Sequence, residues 1–406
     1  EAEMLNNIGG FLDALGQTRE SFPFLLKSVE ILRELGDKKR EAIALNTIGI
    51  SYSNIGEMRK AIDFLQRSLV LRREVKDRAG EARTLINTGA IYDDTGEKRK
   101  ATEFYEAGLK IAEEEKDLRS QSVALNNLGL TWHHLGEFQK SLDYYQKALA
   151  LRRQSGDKRG EAITLNNIGA VYESLGEFQQ SMELLQEALK IFQDSGLRRN
   201  EARSLSSIGV LYSNSGNAEK ALEFYQKALE IHRSLENKEG QTSVLRNIGV
   251  VYAEQNKIQE TIKVFSESLQ LAEEINEPKS IANSLALLGR TYRQANNEEK
   301  ATEYFTKALK IQREKELHRD IIETLYHYAQ FEADFGRKDS AIEKMQELML
   351  ILEDLRNTIT SQTLRSSYLA QNQKYYDFYI RLLVDSHKLN PNKGFNALAL
   401  EISESA

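Results

Sequence analysis

Glycine returns every 40 residues along this chain, at Gly9, Gly49, Gly89, Gly129, Gly169, Gly209, Gly249 and Gly289, with Ala329 as the ninth member. A period of that length marks a tandem repeat, so the 406 residues count repeated units rather than separate globular cores. Within one unit, Leu165, Ile168, Gly169 and Tyr172 fall on a single helical face. Ser181, Leu184, Leu185, Ala188, Leu189 and Phe192 then carry the i, i+3, i+4, i+7 rhythm of a second amphipathic helix. Each unit reads as a helical hairpin. Glycine inside a helix costs roughly 1 kcal/mol relative to alanine, so the ladder needs its missing side chain where a neighbouring helix approaches. That neighbour is expected to carry Ala61, Ala101, Ser141, Ser181, Ala221 or Ala301.

A second ladder, Gly16, Gly56, Gly96, Gly136, Gly176, Gly216 and Gly336, with Asn256 and Asn296 as substitutes, predicts a left-handed residue that closes the first helix. Between the two ladders, Tyr52, Tyr92, Trp132, Tyr172, Tyr212, Tyr252 and Tyr292 repeat in register and are expected in the core. Alternating small and large positions such as Leu45, Ile48, Gly49, Tyr52, Gly56, Ala61, Leu65 and Ser68 resemble the tetratricopeptide repeat family. The resemblance implies an all-α, right-handed α-α superhelix, a solenoid with C-terminal capping helices. It covers nine units, 1–40, 41–80, 81–120, 121–160, 161–200, 201–240, 241–280, 281–320 and 321–355, followed by a helical cap or connector at 356–406. The family's common unit is 34 residues and usually ends in proline. Here Arg73 holds that place and a charged linker such as REVKDRAG follows, a longer style that resembles kinesin light chain repeats.

Beyond Leu355 the period fails. Leu364, Tyr368, Tyr375, Phe378, Tyr379, Leu382 and Leu383 keep helical spacing and predict a long capping helix, ended by Pro391 and Gly394 and followed by another from Phe395 to Ser405. The stretch LRSSYLAQNQKYYDFYIRLLVDSHKLNPNKGFNALALEISESA resembles the connector of bacterial, especially cyanobacterial, proteins in which such repeats precede a caspase-like CHAT protease domain. That resemblance implies a protease domain beyond Ala406. Glu1 aligns with Glu41 at the start of a repeat, so the chain is expected to be a fragment.

Composition narrows the partners. Charged residues make up 29%, with both signs mixed and a net charge of −6, which gives no basic footprint for nucleic acid or an anionic membrane. With no cysteine there is no disulfide framework, thiolate nucleophile or thiolate metal site, and a cytoplasmic location is expected. No apolar run approaches the roughly 18 residues of a membrane span.

Mapped through the family's geometry, the first helices line a concave groove. Asn6, Asn46, Asn126 and Asn166 form one inward column, and Asn7, Asn87, Asn127, Asn167 and Asn247 form a second. Amides carry both donor and acceptor, so such a column suits the main chain of an extended peptide. The first column is expected to meet a ligand, the second to bond the adjacent repeat. Inward acids, Glu3, Asp13, Asp93, Asp94 and Glu173, belong to the first five units, and Arg203, Arg246, Arg290 and Arg293 to the sixth through eighth. An acidic segment suits the arginine end. Ala90, Leu130, Ala170, Val210 and Val250 offer small apolar contacts between them.

Chemistry is sparse. His133 and His134 diverge by about 100° around a helix and do not ligate one metal from a single face. Ser366 and Ser367, with His387, lack an acylation context, and no GxxxxGK[ST] phosphate loop occurs. No enzyme, catalytic residue, metal or cofactor is expected. The leading expectation is a scaffold that binds a protein segment, or its own C-terminal domain, as the sensing part of a CHAT-protease-type protein. A stand-alone cargo or signalling adaptor resembling kinesin light chain, and a regulatory region masking a catalytic domain in the same chain, remain as alternatives.

Overall fold

The computed structural model describes residues 1–357 and 362–405, without the side chains of 362–367, 371 and 405. Leu364, Ser366, Ser367 and Ala406 therefore lie outside the described side chains. All regular structure among the described residues is helical.

The chain divides into two compact units, Glu1–Glu177 and Phe178–Ala406. The first holds α1 (Ala2–Ala14), α2 (Thr18–Glu34), α3 (Lys38–Asn54), α4 (Met58–Glu74), α5 (Arg78–Asp94), α6 (Lys98–Glu114), α7 (Leu118–His134), α8 (Phe138–Ser155) and α9 (Lys158–Ser174). The second holds α10 (Phe178–Asp194), α11 (Arg198–Asn214), α12 (Ala218–Ser234), α13 (Lys238–Glu254), α14 (Ile258–Glu274), α15 (Pro278–Gln294), α16 (Glu298–Glu314), α17 (His318–Asp334), α18 (Lys338–Asn357), α19 (Gln362–Leu389) and α20 (Phe395–Ser405). The division falls inside the fifth sequence unit, between its two helices. Within each unit, odd and even helices pair as hairpins and successive odd helices pack side by side. A 3-10 turn at Pro391–Lys393 separates α19 from α20, and these two also pack together.

Local chemistry accounts for the helix ends. Asp37, Asp77, Asp117, Asp157 and Asn237 each accept a hydrogen bond from the backbone N–H three residues on, capping α3, α5, α7, α9 and α13. The second glycine ladder has φ of +77° to +86° at Gly16, Gly56, Gly96, Gly136, Gly176, Gly216 and Gly336, and Asn256 and Asn296 share the left-handed conformation. A similar break ends the second helices, where Lys76, Lys116, Glu236 and Glu316 adopt positive φ without glycine's freedom.

The first ladder is packed more closely than the alanine and serine positions predict. A Cβ at Gly49 would meet Leu65 at 2.8 Å and the Ala61 carbonyl at 3.1 Å, and one at Gly89 or Gly129 would meet the Tyr105 or Tyr145 ring at 2.7 Å. The side chain that needs the gap thus lies one turn beyond Ala61, because a large residue there crosses under the glycine. Tyr145, Phe265 and Phe305 are fully buried in this way.

Arg73, in the place where the family carries proline, donates to Glu81 at 2.7 Å. Arg33 and Arg153 make the same contact with Glu41 and Glu161. Each ties a second helix to the next first helix through a buried carboxylate at that helix's positive end.

Candidate binding faces of the first helices

In the first unit the two asparagine columns are joined to each other. Asn87 Nδ2 donates to Asn46 Oδ1 at 3.1 Å, and Asn167 Nδ2 donates to Asn126 Oδ1 at the same distance. Both pairs are 41 residues apart, one repeat plus one step, which places the second-column residue of one unit beside the first-column residue of the unit before it. Asn126 is buried at 8% exposure, and Arg152 Nη1 (3.5 Å) and Thr164 Oγ1 (3.4 Å) also point at its Oδ1. Asn6, at the end of the column, has Thr47 where its partner asparagine would stand, and its buried Oδ1 has no partner among the described residues. Asn166 is half-buried and engaged.

Asn127 serves a different group: burial and the nearby acids raise the pKa of the Tyr105 hydroxyl, and the Asn127 side chain acts in the opposite direction. Every tyrosine at this place in the repeat, Tyr105, Tyr145 and Tyr225, is followed 22 residues later by an asparagine, Asn127, Asn167 and Asn247. Leucine or phenylalanine at the same place imposes no such partner: Leu25 is followed by Thr47 and Phe265 by Leu287, and Asn87, 22 residues after Leu65, bonds Asn46 instead. Asn167 has two claims on it, and it bonds Asn126 while the Tyr145 hydroxyl stays buried without a partner among the described residues.

The acids of this unit are also engaged. Asp93 is buried, accepts from Thr131 Oγ1 at 2.8 Å and pairs with Lys98 at 2.9 Å. Asp13 accepts from Asn54 Nδ2 at 2.9 Å, again 41 residues away. His133 Nε2 lies 2.9 Å from Ser174 Oγ, and burial holds its pKa below the ordinary histidine value. No cluster of three or more His, Asp or Glu among the described residues is arranged to hold a metal.

The second unit presents a different face. Arg293 is held internally by Asp334 (2.7 Å) and Gln330 (3.0 Å). Arg203 is exposed, and Asn247 is half-buried. Arg246 on α13 and Arg290 on α15 form no hydrogen bond or ion pair among the described residues. Partial burial lowers the pKa of Arg246 against the pull of Glu277 and Asp320. Arg246 is half-buried and Arg290 is exposed, and neither has a bonded anion among the described residues.

Glu323 is not free to supply one. Its carboxylate accepts from Tyr375 Oη at 2.6 Å and Lys374 Nζ at 3.0 Å, both on α19. Burial pushes its pKa up, but those two hydrogen bonds together with the charges of Lys374 and His327 hold it below the ordinary range. His327, one turn on, is pulled down to about 4 by burial and by Arg290. The Tyr375 and Phe378 rings stand nearly perpendicular to the Tyr326 ring with centroids 5.1 and 5.4 Å away, so α19 touches α17 through these side chains.

The bonds between the two columns join neighbouring first helices; sequence reasoning missed Arg152, Thr164 and Asn54 as bonding partners and Tyr105 as a neighbour of Asn127. The 41- and 22-residue spacings were the available signals.

The tetratricopeptide repeat profile matches residues 1–74, 42–114, 120–194, 200–260 and 240–314. This chain belongs to the tetratricopeptide repeat family, whose solenoids are the kind of fold that serves as a protein-interaction scaffold. A profile for anaphase-promoting complex subunit 5 matches residues 287–370. No curated protein sequence matches. Among solved structures, the chain is similar to a Rap protein complexed with Competence and Sporulation Factor, at 12% identity and TM-score 0.61, covering 88% of this chain and 99% of that one. It is also similar to the apo form of RapI, at 16% identity and TM-score 0.51, covering 68% and 99%. Kinesin light chain repeats from Podosopora anserina align at 15% identity and TM-score 0.39, covering 48% and 95%.

Proposed function

We propose that this chain is a protein-binding scaffold that holds an extended acidic segment of a partner against the first-helix face of its second unit. The observation that carries this reading is the pair Arg246, half-buried, and Arg290, exposed, on neighbouring first helices and without a bonded anion among the described residues. Helices pack 8–10 Å apart and an extended chain rises about 3.3 Å per residue, so successive first helices meet about every third ligand residue. Arginine's planar fork suits carboxylates there. Asn247 and Arg203 border the same face and complete its polar lining. In the first unit, Asn6 and the amide N–H groups of Asn46 and Asn126 are the further positions for main-chain contacts.

The test is calorimetry with acidic peptides on Arg246→Ala with Arg290→Ala, and separately on Asn126→Ala with Asn166→Ala. The arginine pair is expected to abolish binding and the asparagine pair to weaken it less. Unchanged affinity in the arginine variant overturns the reading.

The resemblance of the C-terminal stretch to a CHAT connector supports a narrower version: the repeats act in the bacterial cytoplasm as the sensing part of a protease-linked protein, and the bound segment belongs to another protein or to the chain's own C-terminal domain. The residues after Ala406 decide it. A His and Cys pair in a caspase-like context supports this version, and a coiled coil supports an adaptor resembling kinesin light chain.

A further inference from the structure

α1 carries a stripe of large apolar side chains on the solvent side. Met4, Ile8, Phe11 and Leu15 are 62%, 38%, 65% and 60% exposed, and their spacing of four, three and four residues keeps them within about 60° around the helix. In the eight later first helices, α3 through α17, the places of Met4, Ile8 and Phe11 are all buried, as at Ala44, Ile48 and Ser51, where α3 packs on α2.

Met4 is the one large residue at its place. From Ala44 in α3 to Thr324 in α17, that place holds alanine, serine, threonine or valine. The second helix of the preceding repeat comes close there: Arg152 Nη1 donates to Thr164 Oγ1 at 2.5 Å, Gln312 Nε2 donates to Thr324 Oγ1 at 2.9 Å, and the Ser268 and Ser284 hydroxyls lie 3.0 Å apart. A methionine side chain overfills that gap, so the face is shaped for a more distant neighbour than a further repeat stacked in register.

We propose that this face binds α1 of a second copy of the chain, the two helices packing antiparallel about a twofold axis. Gaps of four, three and four read the same in both directions, so an antiparallel pair sets Met4 against Leu15 and Ile8 against Phe11 of the other copy, each twice, as a twofold contact requires. The same alternation is that of a two-helix seam, in which each apolar side chain enters a hollow of the facing helix. Asn7 and Leu12 border such a hollow with Met4, Ile8 and Phe11. Charge favours the antiparallel sense. Glu1 and Glu3 are exposed at one end of α1, and Arg19, just beyond the other end, is exposed and makes no hydrogen bond or ion pair among the described residues. A parallel pair would bring the acids of the two copies together, whereas the antiparallel pair turns each acidic end toward Arg19 of the other copy. One helix per copy is a small interface, so association in the micromolar range is expected.

Sedimentation equilibrium on the chain tests this, and the average mass is expected to rise with concentration from one chain toward two. Phe11→Glu changes an exposed side chain, and with helical content intact it is expected to remain a single chain at every concentration. Because the sequence has no cysteine, Met4→Cys and Leu15→Cys report the register under mild oxidation. A disulfide needs Cα atoms within about 7 Å, and the two places are about 16 Å apart along one helix. An equimolar mixture of the two variants is therefore expected to give cross-linked mixed dimers, and either variant alone several-fold less. The proposal is overturned by a single-chain mass of the unmodified chain at every concentration, by a Phe11→Glu variant that still pairs, or by a mixture that cross-links no more than either variant alone. None of these outcomes touches the acidic-segment reading of the second unit's face.

Discussion

Asn167 donates to the buried Oδ1 of Asn126 across 3.1 Å, from one first helix to the one before it. The inward asparagines therefore act in part as polar staples between repeats. Asn167→Ala removes that donor, and a net cost of about 1 kcal/mol is expected, held down because Arg152 and Thr164 still face Asn126. The converse change is Thr47→Asn, which supplies the missing partner of Asn6. It is expected to add about 0.5–1 kcal/mol to the junction of α1 and α3. Amide hydrogen exchange along those helices reads both, since repeat arrays open locally and a single global unfolding energy averages the effect away.

Two buried tyrosines form a matched pair. Tyr105→Phe deletes a hydroxyl that the Asn127 side chain acts on, and up to about 1 kcal/mol of lost stability is expected. Tyr145→Phe deletes a hydroxyl with no partner among the described residues, so its stability is expected to be unchanged or higher by up to about 1 kcal/mol. Equal destabilisation of the two variants in thermal unfolding would contradict the assignment.

Lys116 holds φ at +55° where other repeats carry Gly36, Gly156 or Gly196. A left-handed non-glycine residue costs about 1–2 kcal/mol and glycine's extra chain entropy about 0.5–1 kcal/mol. Lys116→Gly is expected to gain the difference, up to about 1 kcal/mol, and Gly156→Ala to lose a similar amount. Midpoints of urea unfolding for the two variants check the sign.

His327 is pulled down to about 4 in the folded chain from an ordinary value of 6.5. The unfolded chain binds that proton more readily, so the contribution is fully present above pH 6.5 and is lost as pH falls from there through about 4. The ceiling is about 3 kcal/mol, at 1.36 kcal/mol per pKa unit. His327→Gln is expected to flatten stability across that window in a pH series of thermal unfolding. Glu323, also below its ordinary range, adds a separate loss at lower pH that Glu323→Gln removes.

The two glycine ladders made the helical hairpins and their order readable in the sequence, because a fixed period reports directly on which residues must be small or left-handed; the aromatic ladder expected in the core is only half-buried at Tyr52, Tyr92, Trp132, Tyr172, Tyr212 and Tyr252, and Tyr292 alone of it is buried. The candidate face was readable only in outline. Periodicity places Asn126 and Asn166 in one column, but the same period cannot say that Arg152 crosses from α8 to reach one of them.

By itself, then, the sequence determined the unit: where each helix begins, which glycine closes it and which face is buried. Those are local properties, governed by backbone conformation and by contacts within one period. The tertiary structure alone decided the use of the polar residues, which of the inward asparagines are spent between repeats and which arginines are left without an anion. A hydrogen bond or an ion pair depends on a few ångströms between side chains of different helices, and no spacing along the chain encodes that distance.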